Sequence, residues 1–243
     1  MSESLRSGQD PPANRHRYRG DAPHSDVAER RRQAILAGYN GDEAIARRLL
    51  FDTEAVVRAA AIGALDRIGR LTDAELAEAL GDIDASVRRR GLEILGAYGA
   101  TDSCRVDLAA YVLPGLLEDA DSSVVEVACW ASGEHPGLAK VLVQGVTGVA
   151  LNHDDPLCRE SAVAALGALG HEKGRAAVLA GLTERAAIRR RAVLALAAFE
   201  GPEVEAALTA ALSDRDWQVR QAAEDLLGVD GNPNEDQEPL ANI

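Results

Sequence analysis

Apolar residues recur along this chain at helical spacing and almost nowhere at the alternating spacing of a strand. In the segment "VVRAAAIGALDRIG", Val57, Ala61, Ala64, Leu65 and Ile68 fall on one stripe of a 3.6-residue helix. Comparable stripes run through "ERRRQAILAG", "SVRRRGLEILGAYG", "SVVEVACWASG", "LCRESAVAALGALG", "AIRRRAVLALAAF" and "QVRQAAEDLLG". Between them lie further amphipathic stretches, such as "DEAIARRLL", "DAELAEAL", "RVDLAAYVLPGLLE" and "PEVEAALTAAL". Gly69, Gly170 and Gly228 stand where helices end, and Pro202 stands where a first helical turn accepts proline. The pattern predicts an all-α fold built of helical hairpins.

The stripes are copies of one another. Each carries a small residue at the same place, namely Ala34, Ala61, Gly91, Ala128, Ala162, Ala192 and Ala223, at separations between 27 and 37 residues. Recurrence at such a period means a stacked array in which each hairpin buries its apolar face against its neighbours. The array is expected over residues 25–228. Residues 1–24 and 229–243 lack the periodicity and are polar or acidic, so both are expected to be disordered tails. Arg15, His16, Arg17 and Arg19 form a small basic cluster in the first of them.

The shared core reads D-x-x-x-x-V-R-x-x-A-x-x-x-L. It is clearest at Asp52/Val57/Arg58/Ala61/Leu65, Asp82/Val87/Arg88/Gly91/Leu95 and Asp214/Val219/Arg220/Ala223/Leu227. In this the chain resembles the HEAT-repeat family, in particular the short HEAT-like repeats of the phycobilin-lyase type. The resemblance implies a right-handed α-solenoid of about six to seven hairpins. It also implies a ladder in which the Asp lies near the turn within each hairpin and the Arg reaches a neighbouring repeat. Asp52, Arg58, Asp82, Arg88, Arg159, Arg189, Asp214 and Arg220 would make it. The chemistry suits the role, because a guanidinium offers a planar fork to a carboxylate or carbonyl. The ladder thins where His153 and Thr183 replace the Asp and breaks where Val125 replaces the Arg.

Composition narrows the function classes. Aromatic residues are only 3% of the chain, so the core must be Ala, Leu, Val and Ile. Of 26 basic residues only Lys140 and Lys173 are lysines. The formal net charge is −13, which opposes the phosphate neutralisation that nucleic-acid binding rests on and favours a protein partner. Cys104, Cys129 and Cys158 are scattered and odd in number, unlike a disulfide framework or a zinc site. There is no apolar leader and no run long enough for a membrane span, which reads as a soluble, cytoplasmic protein.

Candidate chemistry concentrates in one irregular copy, "SSVVEVACWASGEHPG". If the repeated helices line a concave wall, the positions two after each small residue share a column: Leu36, Gly63, Glu93, Trp130, Ala164, Leu194 and Asp225. Glu93 and Asp225 indicate that this column sees solvent. Trp130 then offers an aromatic anchor of the kind that dominates interfaces, and Arg90, Glu93 and Glu126 are its expected polar neighbours. Trp217, at a helix start in the last copy, is expected to close the end of the core.

No metal and no cofactor is expected. Glu134/His135, His153/Asp154/Asp155 and His171/Glu172 lie at turns. Iron-binding HEAT-type hydroxylases place several His-Glu pairs at equivalent positions of successive repeats, whereas this chain has one. The resemblance to phycobilin lyases extends to the repeat but identifies no pigment pocket. Helical-repeat DNA glycosylases also use tryptophans and basic residues, yet no catalytic residue carries over. The sequence therefore favours a non-enzymatic scaffold or adaptor binding a protein through its concave face. Its rival is a lyase-like enzyme or accessory acting on a small molecule or modified protein.

Overall fold

The computed structural model describes residues 22–99 and 103–228, and the two expected tails lie largely outside them, as does the Arg15–Arg19 cluster. Thirteen α-helices follow one another among the described residues, and no strand is present there. They are α1 (Ala22–Asn40), α2 (Glu43–Leu49), α3 (Ala55–Arg67), α4 (Asp73–Leu80), α5 (Ala85–Tyr98), α6 (Ser103–Leu116) and α7 (Ser122–Gly133). The remainder are α8 (Ala139–Asn152), α9 (Pro156–Leu169), α10 (Arg175–Gly181), α11 (Ala186–Ala195), α12 (Pro202–Ala211) and α13 (Trp217–Leu227). The first helix thus begins at Ala22, inside the stretch read as tail.

The odd-numbered helices form one layer and the even-numbered helices the other, with an apolar core running between them from Ala37 to Ala223 and a smaller apolar cluster of Ala34, Leu49, Val57 and Ala61 at the first helices. All seven periodic small residues are buried. Other small residues, Gly38 and Gly167, let the odd-numbered backbones approach closely. A β-carbon on Gly38 would lie 2.9 Å from Ala64 Cα, and one on Gly167 would lie 2.8 Å from Ala195 Cα. Successive odd-numbered helices pack extensively on each other, whereas successive even-numbered helices touch far less. A two-layer array with one layer drawn together curves toward that layer, so the odd-numbered helices make the inner wall.

Three of the turns that lead into odd-numbered helices are built on two carboxylates with separate tasks. In "DIDAS", Asp84 caps α5 by accepting from Ser86 N at 2.9 Å, while Asp82 accepts from Asp84 N at 2.8 Å. The same division recurs at Asp119/Asp121 and Asp214/Asp216. Asp82 also receives Arg58 of the preceding hairpin through Nε at 2.8 Å and NH2 at 2.7 Å. The third guanidinium nitrogen of Arg58 turns back to Asp52 O and Thr53 O of its own turn. One side chain therefore ties its own turn to the next.

This geometry repeats along the array. Arg30 forks Asp52, Arg88 forks Asp119 and Arg189 forks Asp214, all between 2.6 and 3.1 Å. Arg159 reaches Glu184 at 3.2 Å through both nitrogens, so the carboxylate missing at Thr183 is supplied one residue later. Arg220, in the last hairpin, bonds only Asp214 O and Arg215 O among the described residues. At the gap, Val125 is buried and His153 Nδ1 accepts from Asp155 N at 3.0 Å in place of an aspartate.

Candidate functional site

The inner wall carries two open grooves of similar size and a small third one. The first, of about 370 Å³, lies across α1, α3 and α5 and is lined by Arg31, Ile35, Tyr39, Arg67, Arg89, Arg90 and Glu93 among others. The second, of about 340 Å³, lies across α7, α9 and α11 and includes Glu126, Trp130, Glu134, Leu157, Glu160 and Arg191. The four residues read from sequence as one partner site are thus divided between two grooves, Arg90 and Glu93 in the first and Glu126 and Trp130 in the second.

Trp130 is 40% exposed. Its inner edge rests on α5 at Gly96, where a β-carbon would fall 2.4 Å from Cζ3. The glycine makes the seat, and the indole is held half out of the wall. Arg90 is seated in the same manner, with its NH2 at 2.7 Å from where a β-carbon of Gly63 would be, and it donates from NH1 to Glu93 Oε2 at 2.9 Å. Below Trp130, Ser132 is fully buried and donates to Ala128 O at 2.7 Å, while buried His135 donates from Nδ1 to Ala131 O at 2.8 Å. The helix backbone thus takes up Ser132 Oγ and His135 Nδ1, while His135 Nε2 is buried without a partner among the described residues, and neither side chain lines the groove.

The two grooves differ in charge. Arg31, Arg67, Arg89 and Arg90 share the first with a single carboxylate, Glu93. Arg67 stands over the Tyr39 ring at 4.5 Å from its centroid. In the second groove Glu126, Glu134 and Glu160 face one arginine, Arg191, which lies 3.4 Å from Glu160. The "RRR" triplets divide between faces. Their first members, Arg88 and Arg189, serve the ladder, whereas Arg90 and Arg191 line the grooves.

Sequence reasoning did not find Arg31, Tyr39 and Arg67, because their meeting depends on how α1 and α3 pack and not on spacing within either helix. Trp217 departs from its expected place in a sealed end. It is 65% exposed and lines a small third groove with Arg190, Leu194 and Gln221. It occupies the first position of α13, ahead of the buried stripe that starts at Val219. Both described cysteines are buried. Burial pushes the Cys158 thiol up to about 11 and the Cys129 thiol higher still. Among the described residues no three His, Cys, Asp or Glu side chains converge as metal ligands. No helix there is long and apolar enough to cross a membrane.

Comparison with known proteins places this architecture. Residues 143–228 match the family of HEAT repeats. No curated protein matches the sequence. Among solved structures, YibA of Escherichia coli is 19% identical, covering 86% of this chain and 77% of its own, with a TM-score of 0.57. An engineered protein is 20% identical over 77% of this chain and 95% of its own, with a TM-score of 0.57. A designed armadillo repeat protein, solved in complex with the peptide (KR)4, is 16% identical over 84% of this chain and 98% of its own, with a TM-score of 0.54. Residues 143–228 therefore resemble HEAT repeats, and the described chain has the fold of a helical-repeat solenoid such as HEAT and armadillo proteins have.

Proposed function

We propose that this chain is a non-enzymatic scaffold or adaptor that holds a protein partner on its inner wall, with Trp130 as the anchor. HEAT and armadillo folds commonly mediate protein binding, and the designed armadillo protein of the same architecture was solved with a peptide. The observation that carries the reading is Trp130 itself, a large aromatic held partly exposed on a glycine seat in an open groove. An indole of this kind gives much contact area at little entropic cost. Glu126, Glu134 and Glu160 around it suit a cationic side chain, which would lie against the ring while the carboxylates neutralise it. Arg90 and Glu93 extend the contact along the wall.

The test uses fluorescence. Trp217→Phe leaves Trp130 as the sole tryptophan, and titration with the peptide (KR)4 should shift or quench its emission. Trp130→Ala, shown by circular dichroism to keep its helices, should weaken binding of the labelled peptide by roughly tenfold or more. An emission unmoved at saturating peptide, or binding equal in the folded Trp130→Ala protein, would sink the reading.

A further inference from the structure

We infer that the groove across α1, α3 and α5 is a docking site for an acidic peptide segment, so that the partner carries Asp or Glu residues beside the part that meets Trp130. The inference rests on the inner wall being the binding face, and it adds what the first groove selects. The argument is one of charge. The ladder arginines Arg30, Arg58, Arg88, Arg159 and Arg189 each fork a carboxylate of the next hairpin. The groove arginines do not. Among the described residues Glu93 is the one carboxylate in reach, 2.9 Å from Arg90 and 3.9 Å from Arg89. Among the described residues Arg31 and Arg67 have no carboxylate within ion-pair distance. In a chain of net charge −13, a cluster of four arginines sharing one acid is a local reversal of sign.

The lining fits a peptide with alternating character. Ile35, Val56 and the Ala59–Ala60 pair give an apolar floor between the guanidinium groups. Tyr39, 67% exposed and stacked under Arg67, presents a flat edge to an extended chain. Arg67 loses nothing by accepting a carboxylate, since its aromatic contact leaves the edge of the guanidinium free to donate. A nucleic acid is the poorer match. A phosphate backbone following this wall would pass from the four arginines to Glu126, Glu134 and Glu160, where charge repels it. A peptide with an acidic part and a basic part meets complementary charge in both grooves.

The experiment measures fluorescence anisotropy on the full chain with three labelled probes: a peptide alternating Glu and Ala, the peptide (KR)4, and a single-stranded oligonucleotide. The acidic peptide should bind, weaken with added salt, and lose roughly tenfold in affinity in Arg31→Ser/Arg67→Ser, while Glu203→Gln, at an exposed site on α12 away from both grooves, leaves it unchanged. Both substituted arginines lie on the surface, and Arg90→Gln serves as a second, independent probe of the groove. Failure of the acidic peptide to bind, or equal binding by the arginine variants, overturns the proposal. If (KR)4 is then still held in a Trp130-dependent manner, the inner wall remains a binding face and only the acidic groove is lost. If the acidic peptide behaves as expected while (KR)4 ignores Trp130, the groove stands and the anchor falls. An oligonucleotide that binds through the same arginines more tightly than the acidic peptide also overturns it.

Discussion

The indole of Trp130 fills the space that the missing side chain of Gly96 leaves: Cζ3 and Cη2 lie 2.4 and 2.7 Å from where a β-carbon at residue 96 would be. In most helix interiors Gly→Ala stabilises by about 1 kcal/mol. Here Gly96→Ala should forfeit that gain, because the new methyl would meet the ring at 2.4 Å and push it off α5. The expected result is unchanged far-ultraviolet helicity, an altered near-ultraviolet signal and red-shifted Trp130 emission in a Trp217→Phe background. Peptide affinity should fall with the displaced ring.

A second prediction concerns the forked contacts between hairpins. Arg88 and Asp119 are both mostly sheltered, with side-chain exposures of 16% and 10%. Arg88→Ala removes two charge-assisted bonds to Asp119 and two to the carbonyls of its own turn. Among the described residues it leaves Asp119 sheltered with only the Asp121 N–H as partner. A loss of about 2 kcal/mol is expected, read from the urea midpoint. Arg220→Ala should cost clearly less, since Arg220 forks no carboxylate among the described residues.

The same contacts set a pH dependence. The hydrogen bonds from Arg30, Arg58 and Arg189 hold Asp52, Asp82 and Asp214 below the usual carboxylate range. For Asp119 burial alone would raise the value, and Arg88 with the Asp121 N–H outweighs it. A carboxylate depressed in the folded state contributes stability that is complete above its unfolded value of about 4 and is lost as pH falls through the folded value. Protonating other acids relieves the net charge of −13 and works the opposite way, so the informative quantity is a difference. The stability gap between wild type and Arg88→Ala should be constant from neutral pH down to about 5 and close below about 4. A gap that persisted in acid would show that the ion pair is not its source.

How far the sequence disclosed this molecule follows from which interactions are local. Helix stripes and small anchors are set within each helix, and the residue strings show them directly. The carboxylate at Glu184 was hidden because it stands one place beyond the motif, where only the length of the arginine side chain lets Arg159 reach it. The first hairpin hid Arg30 in a similar way, since "VAERRRQA" does not place a valine before it. The grooves were less legible still. Arg90 and Glu93 lie three residues apart on α5 and pair as helix neighbours do, but Arg31, Tyr39 and Arg67 meet only through packing of α1 on α3. Trp130 was visible as an oddity, yet its seat on Gly96 joins two helices and no spacing reveals it.

The buried thiols give an internal reporter of the array. Cys129 is fully buried, and Cys158 donates its thiol to Ser122 O at 3.1 Å. With both values raised by burial, little thiolate forms at pH 8. In a Cys104→Ser background neither should react with a disulfide reagent until denaturant is added, and labelling should then follow the loss of helicity. Prompt labelling of the native protein would mean that α7 and α9 part readily.

The gap in the ladder offers the most discriminating test of how the repeats are held. At every other junction from Arg30 to Arg189 a guanidinium crosses to the next turn, but between α7 and α9 the two positions are Val125 and His153. Val125 is buried, and its junction is held instead by apolar packing, by Cys158 on Ser122 O and by Ser161 Oγ donating to Glu126 O at 2.9 Å. Val125→Arg alone places a charge there without a carboxylate and should destabilise by about 2 kcal/mol or more. His153→Asp alone keeps the bond to Asp155 N and should change little. Together they recreate the Arg88–Asp119 geometry, so the double variant should recover at least about 1 kcal/mol relative to the sum of the single changes. Thermal or urea unfolding of the four proteins gives the coupling directly. Additive effects would mean that the junction beneath Trp130 is shaped so that it cannot admit the fork, and that its apolar closure is a fixed feature of the wall on which the tryptophan sits.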